Sequence, residues 1–148
     1  MIGLLQRVCR AHVEVDGQRI AEINAGLLVL VAVQQLDSGR EVSRLLERVL
    51  GYRVFPDAAG RMNFSLKDTR GELLLVPQFT LAADTRSGMR PSFTPAAPPA
   101  EGERLFEELV KQAGLMHTPV ACGRFAADMQ VTLVNDGPVT FWLEVNPP

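Results

Sequence analysis

The sequence predicts a mixed α/β domain built on one substantial sheet, open or curled into a barrel, and carrying two main helices. Three observations predict it. Apolar runs of strand length and β-branched composition recur along the chain, among them GLLVLVAVQ at 26–34 and ELLLV at 72–76. Two segments switch to the period of an amphipathic helix. The order is strands, helix, strands, helix, strands, which suits a layered α/β fold. At 148 residues the chain is expected to form one domain, 1–148, burying roughly 70% of the surface its unfolded form exposes. It therefore needs no disulfide or metal staple.

Taken in order, residues 1–9, 11–15 and 19–23 read as strands, the last two joined at Asp16-Gly17, a strong hairpin signal. Residues 26–34 are apolar without alternation, as expected of a strand buried on both faces. In SGREVSRLLERVLG, Val42, Leu45, Leu46, Val49 and Leu50 form one helical stripe. Ser38 and Glu41 make a capping box, each able to satisfy a free backbone N–H at the helix start, and Gly51 suits the position after the helix end. A short strand is expected at 52–55, then a loop through Asp57, Gly60 and Asn63. ELLLVPQFTL, 72–81, starts as a buried strand that Pro77 either ends or confines to an edge. The segment 82–100, with Pro91, Pro95, Pro98 and Pro99, is too long for a simple connection and reads as a functional loop. A second helix is expected at 101–113, with Leu105, Phe106, Leu109 and Val110 inward and Gly114 as its stop. Residues 128–134 and 139–145 are the last two strands, flanking VNDGPVT.

The formal charge is −2, which argues against a broad basic face for non-specific nucleic-acid binding but leaves room for a small local site. Cys9 and Cys122 lack metal spacing, and the start MIGLLQRVCR carries Arg7 and Arg10 with no long apolar core. The chain thus reads as a reduced intracellular, cytoplasmic protein. The longest apolar run, LLVLVAV at 27–33, is far short of a membrane span.

Few residues announce side-chain chemistry. Cys122 with His117 lacks a nucleophile signature, and Cys9 reads as a small core residue. Neither His12 nor His117 has another soft ligand at useful spacing, so no metal site is expected. No phosphate loop or GxSxG motif occurs. Two stretches instead suggest chemistry from the backbone. After Pro77, the amides of Gln78, Phe79 and Thr80 lose guaranteed ladder partners, and free N–H groups at a cleft suit an oxyanion. Read alone, the stretch is equally a plain strand end. Thr80 as a nucleophile has no adjacent base. Gly137-Pro138 lies where Asn-Asp-Gly already supplies a turn, so the proline is either part of a hairpin loop or a specific device.

Together these residues carry a resemblance. MIGLLQRV, ERVLGYRVF, QFTLAADT with GMRPSF, GRFAADMQV and NDGPVTFWLEV occur in order nearly end to end, and the chain resembles the D-aminoacyl-tRNA deacylase family of the bacterial and eukaryotic type. The resemblance implies a compact, barrel-like α/β domain working as a homodimer. It implies hydrolysis of the ester joining a D-amino acid to the 3′ adenosine of tRNA, without cofactor or metal. It also implies that Gly137-Pro138 is cis and reaches into the partner's active site as a chirality gauge. Gln78, Phe79 and Thr80 would form the opposite wall and supply oxyanion donors, with assistance from the RNA's own 2′-hydroxyl. Phe125 and Met129 would hold the terminal adenosine, their alternative being core packing, and Arg7 would stand near the active site, its alternative being a surface cation. An L side chain would collide with the gauge while a D side chain points away, so glycyl-tRNA is expected to be hydrolysed too. One departure matters: many family members carry serine where this chain has Pro77, which favours a mechanism through the backbone. The rival expectation is a non-catalytic module that binds nucleic-acid ends.

Overall fold

The computed structural model describes residues 1–148. Its frame is a long first strand, β1 (Ile2–Val15), flanked along one edge by the equally long last strand, β8 (Gln130–Glu144). Along its other edge β1 changes partner. Its first half pairs antiparallel with β3 (Gly26–Ala32), and its second half pairs with β2 (Gln18–Ile23) across the Asp16-Gly17 turn. Beyond β3 the sheet continues with parallel pairing to β6 (Glu72–Pro77) and then β7 (Val120–Cys122). The result is a mixed sheet coiled into a nearly closed barrel.

The unbroken apolar runs of β3 and β6 reflect burial on both faces. Leu28, Leu74 and Val76 point to the inside of the barrel, with Val8, Val13 and Ile23. Leu27, Val29, Val31, Leu73 and Leu75 point outward, under the helices. There they meet α1 (Gly39–Gly51), whose stripe Val42, Leu45, Leu46, Val49 and Leu50 is fully buried. Each such side chain contributes about 1.5–3 kcal/mol of transfer free energy. Ser38 and Glu41 form the expected capping box, the Ser38 N–H donating to Glu41 Oε2 at 2.8 Å. A second long helix, α3 (Pro99–Met116), packs beside α1 through Leu105, Phe106 and Leu109. No helix is long and apolar enough to cross a membrane.

Several expectations need correction. Residues 1–9 and 11–15 are one strand, because Cys9 is an extra residue between the Val8–Asn135 and Arg10–Val134 pairs. This bulge turns Cys9 outward, so it is exposed and not a core residue. Gly51 lies inside α1, which ends at Tyr52. The expected strand at 52–55 is instead a small hairpin, β4 (Phe55–Pro56) with β5 (Met62–Phe64), followed by a one-turn helix, α2 (Leu66–Thr69), capped by Ser65 and Asp68. The strand after Glu72 does stop at Pro77, one of the two expected outcomes, and residues Phe79–Ala82 then form a 3-10 helix. α3 starts two residues earlier and runs through Gly114. Most consequential, 128–134 and 139–145 are not two strands of a hairpin. Both halves pair with β1, and residues Asp136–Val139 stand out from β8 as a multi-residue bulge between the Val8–Asn135 and Gln6–Thr140 pairs.

Candidate functional site

β6 aims its C-terminal end at the mouth of a cavity of about 450 Å³. Proline stops the ladder there. Pro77 pairs with Val31, and the Gln78 N–H makes the last sheet bond, to the Val31 carbonyl at 2.7 Å. Gln78 is therefore not a free amide, contrary to expectation. The chain then folds into the 3-10 helix, whose first two amides, those of Phe79 and Thr80, receive no side-chain cap. Neither donates to a backbone carbonyl elsewhere. The Gln78 carboxamide donates to the Thr80 hydroxyl, which ties the two side chains to each other. Phe79 is half exposed, and its ring leans on Phe93 of the 82–98 loop at 5.1 Å between centroids.

The cavity walls are apolar: Val31, Val33 and Val76 from the sheet, Phe106 from α3, and Phe125 and Met129 from the segment before β8. Two glycines seat the last pair. The Phe125 ring lies on Gly102 of α3, 3.4 Å from where a β-carbon would stand. The Met129 sulfur sits 2.8 Å from the corresponding point on Gly123, with the Pro77 ring at 3.3 Å, so only glycine fits without displacing them. The Arg124 N–H points at the Met129 sulfur at 3.4 Å. Asp128 is the one ionisable side chain among the lining residues. Burial raises the Cys122 thiol above its ordinary value, opposing thiolate formation. His117 is tied to the Gly71 carbonyl at 2.6 Å. The cavity is thus a place to bind an apolar, flat group beside two open N–H donors. It holds no nucleophile–base pair.

Arg7, Gly137 and Pro138 lie elsewhere. None lines the cavity. The Arg7 guanidinium donates to the Val54 carbonyl at 2.7 Å and to the Asp136 carbonyl at 3.2 Å, and pairs with the Asp136 carboxylate at 3.2 Å. Asn135 staples the base of the same bulge, its Nδ2 donating to the carbonyls of Arg7 and Val139 at 2.9 and 3.0 Å. At the tip, Gly137 has φ +131°, and a β-carbon there would stand 2.7 Å from Val139 Cγ2. The Gly137–Pro138 bond is cis, and both residues are exposed. Gln78, Phe79, Phe125 and Met129 therefore gather at one cavity with Thr80 at its rim. Arg7, Gly137 and Pro138 form a separate, protruding group.

Sequence reasoning missed Gly102, Gly123, Asn135 and Phe93. Only Gly102 left a signal: a glycine on the inward stripe of a helix marks a close approach.

Residues 4–144 match the family described as D-Tyr-tRNA(Tyr) deacylase. The chain is 64% identical over 148 residues to the D-aminoacyl-tRNA deacylase of Thioalkalivibrio sulfidiphilus (strain HL-EbGR7), covering 100% of this chain and 99% of the relative. It is 63% identical over 147 residues to that of Alkalilimnicola ehrlichii (strain ATCC BAA-1101 / DSM 17681 / MLHE-1), covering 99% and 98%. Among solved structures, one described as c-Myc DNA Unwinding Element Binding Protein superimposes with a TM-score of 0.94 at 35% identity, over 99% of this chain and 100% of the other. A probable eukaryotic D-amino acid tRNA deacylase, 15% identical, shares the fold with a TM-score of 0.85 over 97% and 98% of the two chains.

Proposed function

The chain belongs to the D-Tyr-tRNA(Tyr) deacylase family, and we propose that all of it, 1–148, works in the cytoplasm as one homodimeric hydrolase unit. The reaction is hydrolysis of the ester between a D-amino acid and the 3′-terminal adenosine of tRNA, which rids translation of misacylated tRNA. Water adds across the ester, releasing the amino-acid carboxylate and the ribose hydroxyl. The observation that carries this reading is an apolar cavity beside two uncapped amides, with a rigid glycine-proline bulge standing clear of it on the same chain.

In this reading the adenine lies between Phe125 and Met129, an aromatic face and a polarisable sulfur that suit a purine. The ester carbonyl then meets the N–H groups of Phe79 and Thr80, which receive the charge of the oxyanion as it develops. An aminoacyl ester is already activated, so positioned water and the RNA's 2′-hydroxyl complete the step without a protein base. The missing wall comes from the partner protomer. Its Gly137-Pro138 carbonyls confront the α-carbon, leaving no room for an L side chain and open space for a D one. Glycine has nothing to clash, so glycyl-tRNA is also a substrate. Arg7 acts by holding the bulge, through Asp136 and Val54. Pro77 supplies no hydroxyl; its role is to end β6 and to line the cavity with Met129.

The experiment follows ester loss from D-Tyr-tRNA and L-Tyr-tRNA side by side. Loss of the D ester with persistence of the L ester is expected. The description of the solved relative as a DNA-element binding protein favours one rival, a pure binder, which leaves both esters intact.

A further inference from the structure

The net charge of −2 conceals a local asymmetry. Arg7, Arg19, Arg44, Arg86 and Arg104 are each in an ion pair with a carboxylate. The segment 53–70 is different. It holds Arg53, Arg61, Lys67 and Arg70, all exposed, and none is in an ion pair. Its only acids, Asp57 and Asp68, are engaged locally. Asp57 Oδ1 accepts from the N–H groups of Ala59 and Arg61 at 2.9 and 3.0 Å. Asp68 Oδ2 accepts from the Ser65 N–H and hydroxyl at 2.8 and 2.9 Å. The remaining unpaired cations are spread over β1, α1, α3 and two loops, with no such grouping.

The four cations lie on connected elements. Arg53 reaches Asn63 of β5 at 3.4 Å, across the β4–β5 hairpin whose tip precedes Arg61. The hairpin in turn packs against α2 through β5. Lys67 and Arg70 then rim an open depression of about 400 Å³ with His117. The other end of this face abuts the Gly137-Pro138 bulge, because one guanidinium, that of Arg7, bonds both the Val54 and the Asp136 carbonyls.

We infer that this face is the docking surface for the phosphate backbone of the tRNA acceptor stem. The inference rests on the deacylase reading. A tRNA whose 3′ end enters the cavity of one protomer meets the bulge of the other, and beside that bulge begins a row of free cations spaced along exposed elements. RNA backbone is the occupant that charge complementarity favours: it presents repeated phosphates, and guanidinium groups bind them with fixed geometry.

The test compares wild type with the Arg53→Gln/Arg61→Gln/Lys67→Gln/Arg70→Gln variant, and with the milder Arg53→Gln/Arg61→Gln variant confined to the hairpin. Affinity for uncharged tRNA is measured by filter binding between 50 and 200 mM salt. The fourfold variant is expected to bind roughly tenfold or more weakly at low salt, with a salt slope flatter by about 0.7–0.9 for each phosphate no longer neutralised. Its kcat/KM on D-Tyr-tRNA falls by a similar factor, through KM, while hydrolysis of the D-tyrosyl ester of adenosine stays at the wild-type rate. Wild-type tRNA affinity and salt slope in the fourfold variant overturn the inference. So does an equal loss on tRNA and on the adenosine ester in both variants. If the wild-type protein hydrolyses neither substrate, the deacylase reading fails instead, and the binding measurement still decides this one.

Discussion

The cavity and the bulge are built on opposite plans. The cavity is made of side chains: apolar walls, two glycine seats and one charged lining residue, Asp128. The bulge is made of backbone: Gly137 and Pro138 present little beyond carbonyls, and Arg7 and Asn135 merely hold them in place. A cavity of this kind accepts any flat apolar group. A backbone bulge reads shape without reading side-chain identity. Placed together, as proposed above, they would bind an adenosine in one half and sort the attached amino acid in the other. Apart, as they lie within one chain, neither does both. The difference is the ground for proposing that the discriminating half of the site comes from a different protomer than the binding half.

Changes to the tip of the bulge should have the largest effect. Gly137→Val puts a branched side chain where even a β-carbon would stand 2.7 Å from Val139 Cγ2 and where φ is +131°. On D-Tyr-tRNA, kcat/KM is expected to fall about a hundredfold or more, the cost of losing a positioned geometry. The exposed site limits the loss of stability to roughly 1–2 kcal/mol. Kinetics and thermal melts together check this, and activity near wild type breaks the comparison.

On the cavity side, Gly123→Ala drives a methyl group into the Met129 sulfur and the Pro77 ring. About 1–3 kcal/mol of overpacking is expected, appearing mainly as a raised KM, with D/L selectivity intact. Loss of selectivity would show that the two halves are not separate in function. A smaller effect is expected for Thr80→Ala. Its hydroxyl accepts only from Gln78, whereas the proposed chemistry uses its N–H. Turnover should stay within about tenfold of wild type. A total loss, with a trapped acyl-enzyme in wild type, would make Thr80 the nucleophile.

The smallest effect belongs to a residue in neither half. Glu41 is held below its ordinary value first by the Ser38 hydroxyl and also by the Ser38 N–H. A folded-state value below the unfolded one means that its contribution is complete above the unfolded pKa and is lost as pH falls through the folded one. Glu41→Gln should therefore flatten the acid limb of the stability curve below about pH 4.5 and leave kcat/KM at neutral pH unchanged. Urea midpoints across that range measure it.

The sequence disclosed the elements whose cause is local. Ser38 and Glu41 mark a helix start because the capping box closes within four residues. The runs of β3 and β6 mark strands because burial on two faces leaves no polar position. It disclosed less where the cause is distant. Asn-Asp-Gly-Pro signals a bend, but whether the chain reverses or only bulges depends on β1, whose Val8 pairs with Asn135. Cys9 turns outward for the same reason. α2 is one turn long, too short for periodicity to register. The candidate site divides likewise. Phe125, Met129 and the stretch after Pro77 were legible through family motifs. Of the glycines that seat them only Gly102 left a trace, since a seat is defined by what presses on it. That the Gln78 amide is taken by Val31 follows from the β3–β6 register, which no local pattern encodes.

The most direct test of a site divided between protomers is complementation. A Gly137→Val chain and a Phe125→Ala/Met129→Ala chain, each inactive alone, are unfolded together and refolded as a mixture. Random pairing gives heterodimers for half the population, each with one composite site in which both halves are intact. The account predicts recovery of about a quarter of wild-type activity on D-Tyr-tRNA, with L-Tyr-tRNA still spared. A mixture no more active than its two components would contradict it.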